Sequence, residues 1–91
     1  MALCFSFSPA SMNAQQYDEA IRRLQAAGAG SPPGRLHHVC FGEGNNLKVV
    51  DIWESQEAFE RFGQTLMPIM QEIGLDPGQP QVAPVHNVIK S

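Results

Sequence analysis

Two residues near the middle of the chain, His38 and Asp51, carry the clearest capacity for acid–base chemistry. They flank Glu43-Gly-Asn-Asn46, a turn-prone stretch between two runs, 36–42 and 47–53, that read as the strands of a hairpin. With Gly44-Asn45 at the tip, His38 stands opposite Asp51, Cys40 opposite Val49 and Leu36 opposite Trp53. Directly opposed side chains have Cβ atoms ~5 Å apart. At that distance a carboxylate can orient an imidazole as a general base. A buried Asp also needs a donor, so the same pair suits a purely structural role in which each group satisfies the other.

Other chemistries find less support in the residue pattern. His38, Cys40 and His86 lack any tight metal-ligand spacing, so no metal is expected. Cys4 and Cys40 do not form a Cys-x-x-Cys pair, and reduced thiols are expected. No glycine-rich loop precedes a helix, which argues against a nucleotide site.

The elements that must position these residues follow in βαββαβ order. Residues 2–8 alternate, with Leu3, Phe5 and Phe7 on one side and Cys4, Ser6 and Ser8 on the other, the period of a strand. Asn13 with Gln16 forms a capping box, and Met12 with Tyr17 suits a hydrophobic staple. Tyr17, Ala20, Ile21, Leu24 and Ala27 then make a helical apolar stripe that Gly28 closes. Ser55 caps a second helix with Phe59, Phe62, Leu66, Ile69, Met70 and Ile73 on its buried side, ending at Gly74. Pro68 interrupts that pattern and predicts a kink or a fresh helical segment. The tail 79–90 is extended, and Pro80 and Pro84 assign it to a sheet edge. Right-handed crossovers place the strands in spatial order 4-1-3-2, a ferredoxin-like α+β fold with one antiparallel sheet and two helices on one face. Cys4 and Cys40 then lie on strands separated by a third, beyond disulfide reach.

Composition bounds the function classes. Ninety-one residues make one small domain, and a domain of that size hides only about 60% of the surface its unfolded chain exposes. The net charge is −3 with six Lys and Arg in total, so the basic footprint of a nucleic-acid binder is missing. No apolar run approaches the roughly 20 residues of a membrane span, and residues 2–7 are too short for a signal peptide. A cytoplasmic location is the default expectation.

The sheet has two unlike faces by this reading. Leu3, Phe5, Phe7, Val39, Phe41, Val50 and Ile52 are assigned to one, and Cys4, Ser6, His38, Cys40, Val49, Asp51 and Trp53 to the other. Two helices cover one face only, and a soluble monomer rarely leaves an apolar face bare. A second copy packed sheet to sheet covers it, so a homodimer is expected.

The stretch Val49-Val-Asp-Ile-Trp-Glu-Ser-Gln-Glu-Ala-Phe59 resembles the strand-to-helix signature of the antibiotic-biosynthesis-monooxygenase-like, dimeric α/β-barrel superfamily. The segments 12–24, Pro33-Gly-Arg-Leu-His-His38, Leu66-Met-Pro68 and Pro84-Val-His-Asn87 look like one uncharacterised bacterial branch of it. The resemblance implies a barrel at a dimer interface and, in each monomer, a pocket between sheet and helices. It makes Trp53 and its face, with Cys4, Ser6 and Cys40, pocket walls, although a tryptophan that ends a strand is more often a core residue. Tyr17 can add a hydroxyl, although the staple accounts for it well, and one of His86 and Asn87 can reach the pocket mouth and the other the partner chain, although backbone capping at an edge accounts for both better. Haem-degrading members use an Asn on the first strand, a Trp ending the third and a His on the second helix. Only Trp53 matches, so haem oxygenation is disfavoured. The implied activity is a cofactor-independent monooxygenase or isomerase-type reaction on a small aromatic or polyketide-like molecule, with His38 as base and Asp51 as its orienter. The alternative is a non-catalytic dimeric module that binds a small ligand.

Overall fold

A computed structural model of the protein describes residues 1–89. The elements run β1 (Leu3–Phe7), α1 (Ala14–Ala26), β2 (Arg35–Phe41), β3 (Lys48–Trp53), α2 (Gln56–Glu72) and β4 (Gln81–Pro84). The strands form one antiparallel sheet in the order β2-β3-β1-β4, with the proline-bearing β4 at an edge. This is the ferredoxin-like arrangement. The extended tail expected to reach Lys90 ends, as a strand, at Pro84, and Lys90 lies outside the described residues.

Local sequence explains where the helices begin. Asn13 accepts from the Gln16 backbone N–H at 2.8 Å, and the Gln16 side chain accepts from the Asn13 N–H at 3.0 Å. This closes the capping box of α1. Ser55 Oγ accepts from the Ala58 N–H at 3.1 Å and starts α2. α2 then continues without a break through Pro68, so no fresh segment begins there. Both Pro68 and Gln64 face solvent, where water can take the carbonyl that the proline leaves unbonded.

Register settles the two faces of the sheet differently from the alternation alone. β1 pairs with β3 as Leu3↔Trp53, Phe5↔Asp51 and Phe7↔Val49. Opposed residues share a face, so Leu3, Phe5 and Phe7 lie with Asp51 and Trp53 beneath the helices. Cys4 and Ser6 pair with Ile52 and Val50 on the open face, the reverse of their expected side. On the covered side, Phe5 and Trp53 are fully buried. Phe5 stacks on Phe59 at 4.1 Å between ring centroids, and Trp53 meets Phe59 edge-on at 5.8 Å.

The hairpin keeps its predicted register near the turn. His38 is opposite Asp51 and Cys40 opposite Val49. A β-bulge between Arg35 and His37 then shifts the pairing, so Arg35, and not Leu36, stands opposite Trp53. Gly34 shapes the approach to β2. Its φ is +90°, and a Cβ there would fall 2.6 Å from the Ala58 Cβ, so only glycine fits. The turn itself is tied to the start of α1 by Met12 N–H to Asn45 O (2.9 Å) and Leu47 N–H to Met12 O (3.1 Å).

Candidate active site

That last tie sets the first turn of α1 over the hairpin and hangs Tyr17 above His38. The Tyr17 hydroxyl lies 2.6 Å from His38 Nε2, and His38 Nδ1 lies 2.5 Å from Asp51 Oδ1. The Trp53 indole N–H donates to the second oxygen, Asp51 Oδ2, at 3.4 Å. Three side chains thus form a continuous hydrogen-bonded row, from α1 through β2 to β3, with the carboxylate at its buried end. The Asp51 side chain is 7% exposed and that of His38 21%.

The geometry fixes which ring nitrogen faces the carboxylate. A carboxylate has no proton to give, so His38 Nδ1 carries the N–H and donates to Asp51. Nε2 of the neutral ring is then a lone-pair acceptor, and the Tyr17 O–H donates to it. Burial, with the Cys40 and Asp51 side chains nearby, pushes the Tyr17 hydroxyl above its ordinary value of 10.0, while Arg35 pulls the other way. Tyr17 therefore remains a phenol at neutral pH. Burial likewise raises the Cys40 thiol, which leaves it a poor nucleophile.

A cavity of about 80 Å³ lies between the sheet and the two helices, and Tyr17, His38, Asp51 and Arg35 all reach its wall. Ile21, Leu24, Phe59, Phe62 and Leu66 supply most of the remaining, apolar lining. Several waters or one small ring fit such a volume.

The structure sorts the expected site residues into four groups. His38, Asp51 and Tyr17 converge on the cavity. Trp53 lies on the same face but is sealed into the core by Phe59 and Phe62, and Cys40 packs against the second core cluster around Met12 and Met70. Cys4 and Ser6 cannot line the pocket because β1 presents them to the open face. His86 and Asn87 follow β4 and are exposed, away from the cavity wall. Arg35 is the charged lining residue that sequence reasoning missed, because the β-bulge that turns it inward leaves no mark on the alternation. Among the described residues no group of three or more His, Cys, Asp or Glu is placed to hold a metal ion.

Comparison with solved structures shows that the fold is a known one. A point variant of SnoaB, a cofactor-independent oxygenase from Streptomyces nogalater, superposes with a TM-score of 0.68 at 17% identity, over 99% of this chain and 98% of that one. A candidate antibiotic biosynthesis monooxygenase from Chloroflexus aurantiacus gives 0.69 at 12% identity, over 99% and 98%. A candidate monooxygenase from Shewanella loihica gives 0.54 at 24% identity, over 100% and 99%. The chain has the fold of these monooxygenase-type proteins. At these identities the likeness is one of fold, which agrees with the resemblance read from residues 49–59. No family model matches the chain. No curated protein matches it either. Among the described residues no helix is long and apolar enough to cross a membrane.

Proposed function

We propose that the protein is a cofactor-independent enzyme that removes an activated proton from a small aromatic or polyketide-like molecule, as the first step of an oxygenation or an isomerisation. The observation that carries this reading is the Tyr17–His38–Asp51 row ending in an apolar cavity. Asp51 holds His38 in the tautomer whose Nε2 can accept a proton and stabilises the imidazolium that results. The carbanion formed on the ligand either takes the proton back at another carbon, giving isomerisation, or gives its electrons to dioxygen, giving oxygenation. SnoaB, a cofactor-independent oxygenase of the same fold, supports the second branch. Both branches share the same base.

The working unit under this proposal is a cytoplasmic homodimer. Its support is the open sheet face, where Val39 and Phe41 are 53% and 46% exposed beside Val50 and Ile52.

The direct test is deuterium exchange at the α-carbons of 2-indanone, a small apolar ketone, followed by NMR in D2O. The wild type should accelerate exchange over buffer, and His38→Gln should remove about 10²-fold or more of that acceleration. Equal rates for the two proteins would refute the base assignment. A second reading, a binding module without chemistry, draws on the fact that Tyr17 already occupies His38 Nε2. It predicts a titratable 2-indanone complex with no exchange.

A further inference from the structure

Arg35 is a cation placed where a purely hydrophobic pocket would not need one. The β-bulge turns it inward opposite Trp53, and its guanidinium lies 5.9 Å from the centre of the Phe62 ring on the cavity wall. The one hydrogen bond of its guanidinium among the described residues is from Nη2 to Gly30 O at 3.1 Å, and no described carboxylate lies at ion-pair distance. A guanidinium has five N–H donors in a planar fork, so most of its capacity is unspent.

Position adds the second argument. Arg35 and His38 line the interior cavity and also a surface groove whose other walls are Ser31, Pro32, Leu36 and His37. The two side chains therefore stand at the boundary between solvent and the apolar interior. The other charge of the site, the Asp51 carboxylate, is at the buried end behind His38 and Trp53. Charge is thus ordered along the site, cation at the mouth and anion at the floor. A ligand whose apolar ring goes inward leaves its polar end at Arg35. Phe62 beneath the guanidinium holds the fork in place and keeps one of its sides from water.

We propose that Arg35 is the residue that selects the ligand, and that the ligand is a small aromatic acid whose carboxylate pairs with Arg35 at the mouth while its ring occupies the cavity. The assignment rests on the cavity being the binding site, as argued for the function. It adds the ligand's charge and its orientation. The same orientation brings carbons beside the carboxylate-bearing end close to the Tyr17–His38 row.

The test compares two probes of one shape, phenylacetate and its neutral amide phenylacetamide, by NMR titration of wild type, Arg35→Lys and Arg35→Gln. Wild type should bind phenylacetate at least ~10-fold more tightly than the amide, a difference that added KCl reduces. Arg35→Gln should bind both alike, and Arg35→Lys should keep part of the preference. If wild type binds both probes equally, or if Arg35→Gln retains the preference, Arg35 does not select the ligand, although the cavity still binds the ring. If neither probe shifts resonances of cavity residues in wild type, the ligand class and the cavity assignment both fall. Should Arg35→Gln fail to fold, the salt dependence in wild type decides, because the amide provides the uncharged reference.

Discussion

His38 Nδ1 and Asp51 Oδ1 are 2.5 Å apart across neighbouring strands, and this contact fixes which imidazole nitrogen can accept a proton. Asp51→Asn preserves the shape but lets an amide N–H donate to Nδ1. The ring proton then moves to Nε2, where the base function is lost. The expected result is a fall of about 10² or more in 2-indanone exchange with the fold intact, checked by NMR exchange and circular dichroism. Asp51→Ala removes the partner of both His38 and Trp53. Urea denaturation should show it destabilised by about 1–3 kcal/mol.

Tyr17 distinguishes a relay from a blocking contact. Its hydroxyl lies 2.6 Å from His38 Nε2 on the cavity wall, and burial keeps it protonated. A ligand proton can reach His38 through the phenol oxygen as the phenol proton moves to Nε2. Tyr17→Phe should therefore slow exchange by about 10-fold or more while phenylacetate binding is retained. Faster exchange in the variant would identify the hydroxyl as an obstacle, with His38 taking the proton directly.

Residues 36–53 show how far the sequence alone could reach. Turn chemistry at Gly44 pins the hairpin, so the pairing of His38 with Asp51 was legible by counting outward. The count failed one step further, at Leu36, because a bulge is set by packing and leaves no periodic signal. The faces of β1 failed for a related reason. Alternation groups Leu3 with Phe5 and Phe7, but only pairing to the distant β3 decides which side of the sheet that group occupies. Cys4 and Ser6 were misplaced with it, while the capping residues Asn13 and Ser55 depended on local contacts alone and were readable.

Pro68 offers a stability test. It sits on the exposed side of a continuous α2, leaving the Gln64 carbonyl without its helical N–H partner. Pro68→Ala restores that donor and removes a poor helix former. Urea denaturation should show the variant more stable by about 1–3 kcal/mol. A destabilised variant would mean that the local geometry imposed by the proline is itself needed for packing α2.

The charge cluster on α1 should be acid-sensitive. Glu19 accepts from Arg22 and Arg23, and Arg23 also reaches Glu72 on α2. Hydrogen bonds from the two guanidinium groups hold the Glu19 carboxyl at about 2, below its ordinary 4.5. A lowered carboxyl pKa stabilises the fold above the unfolded value, and the effect fades as pH falls from about 4.5 through about 2. Wild type should thus have a higher Tm than Glu19→Gln at pH 7, and the two should converge near pH 2. The gap should be small and should narrow further in high salt, because the pair is exposed.

The open sheet face supplies the last prediction. Val39, Phe41, Val50 and Ile52 project from the side that carries no helix, and Cys4, Ser6 and Ala83 continue the same surface across β1 and β4. A contiguous apolar surface of this kind is costly in water and is the ordinary mark of an interface. A copy related by a two-fold axis presents the same patch, so face-to-face packing of two sheets buries both at once. Light scattering should then give about twice the 10.0 kDa chain mass. Val39→Glu places a charge at the middle of the patch, where the partner offers it no water, and should yield the single-chain mass. Because Val39 points away from the helices, the monomer produced should keep the Tyr17–His38–Asp51 row, and its 2-indanone exchange should persist at low protein concentration. A wild-type protein that runs as a monomer would overturn the dimer. A monomeric but inactive Val39→Glu variant would show that the partner sheet supports the cavity as well as covering the apolar face.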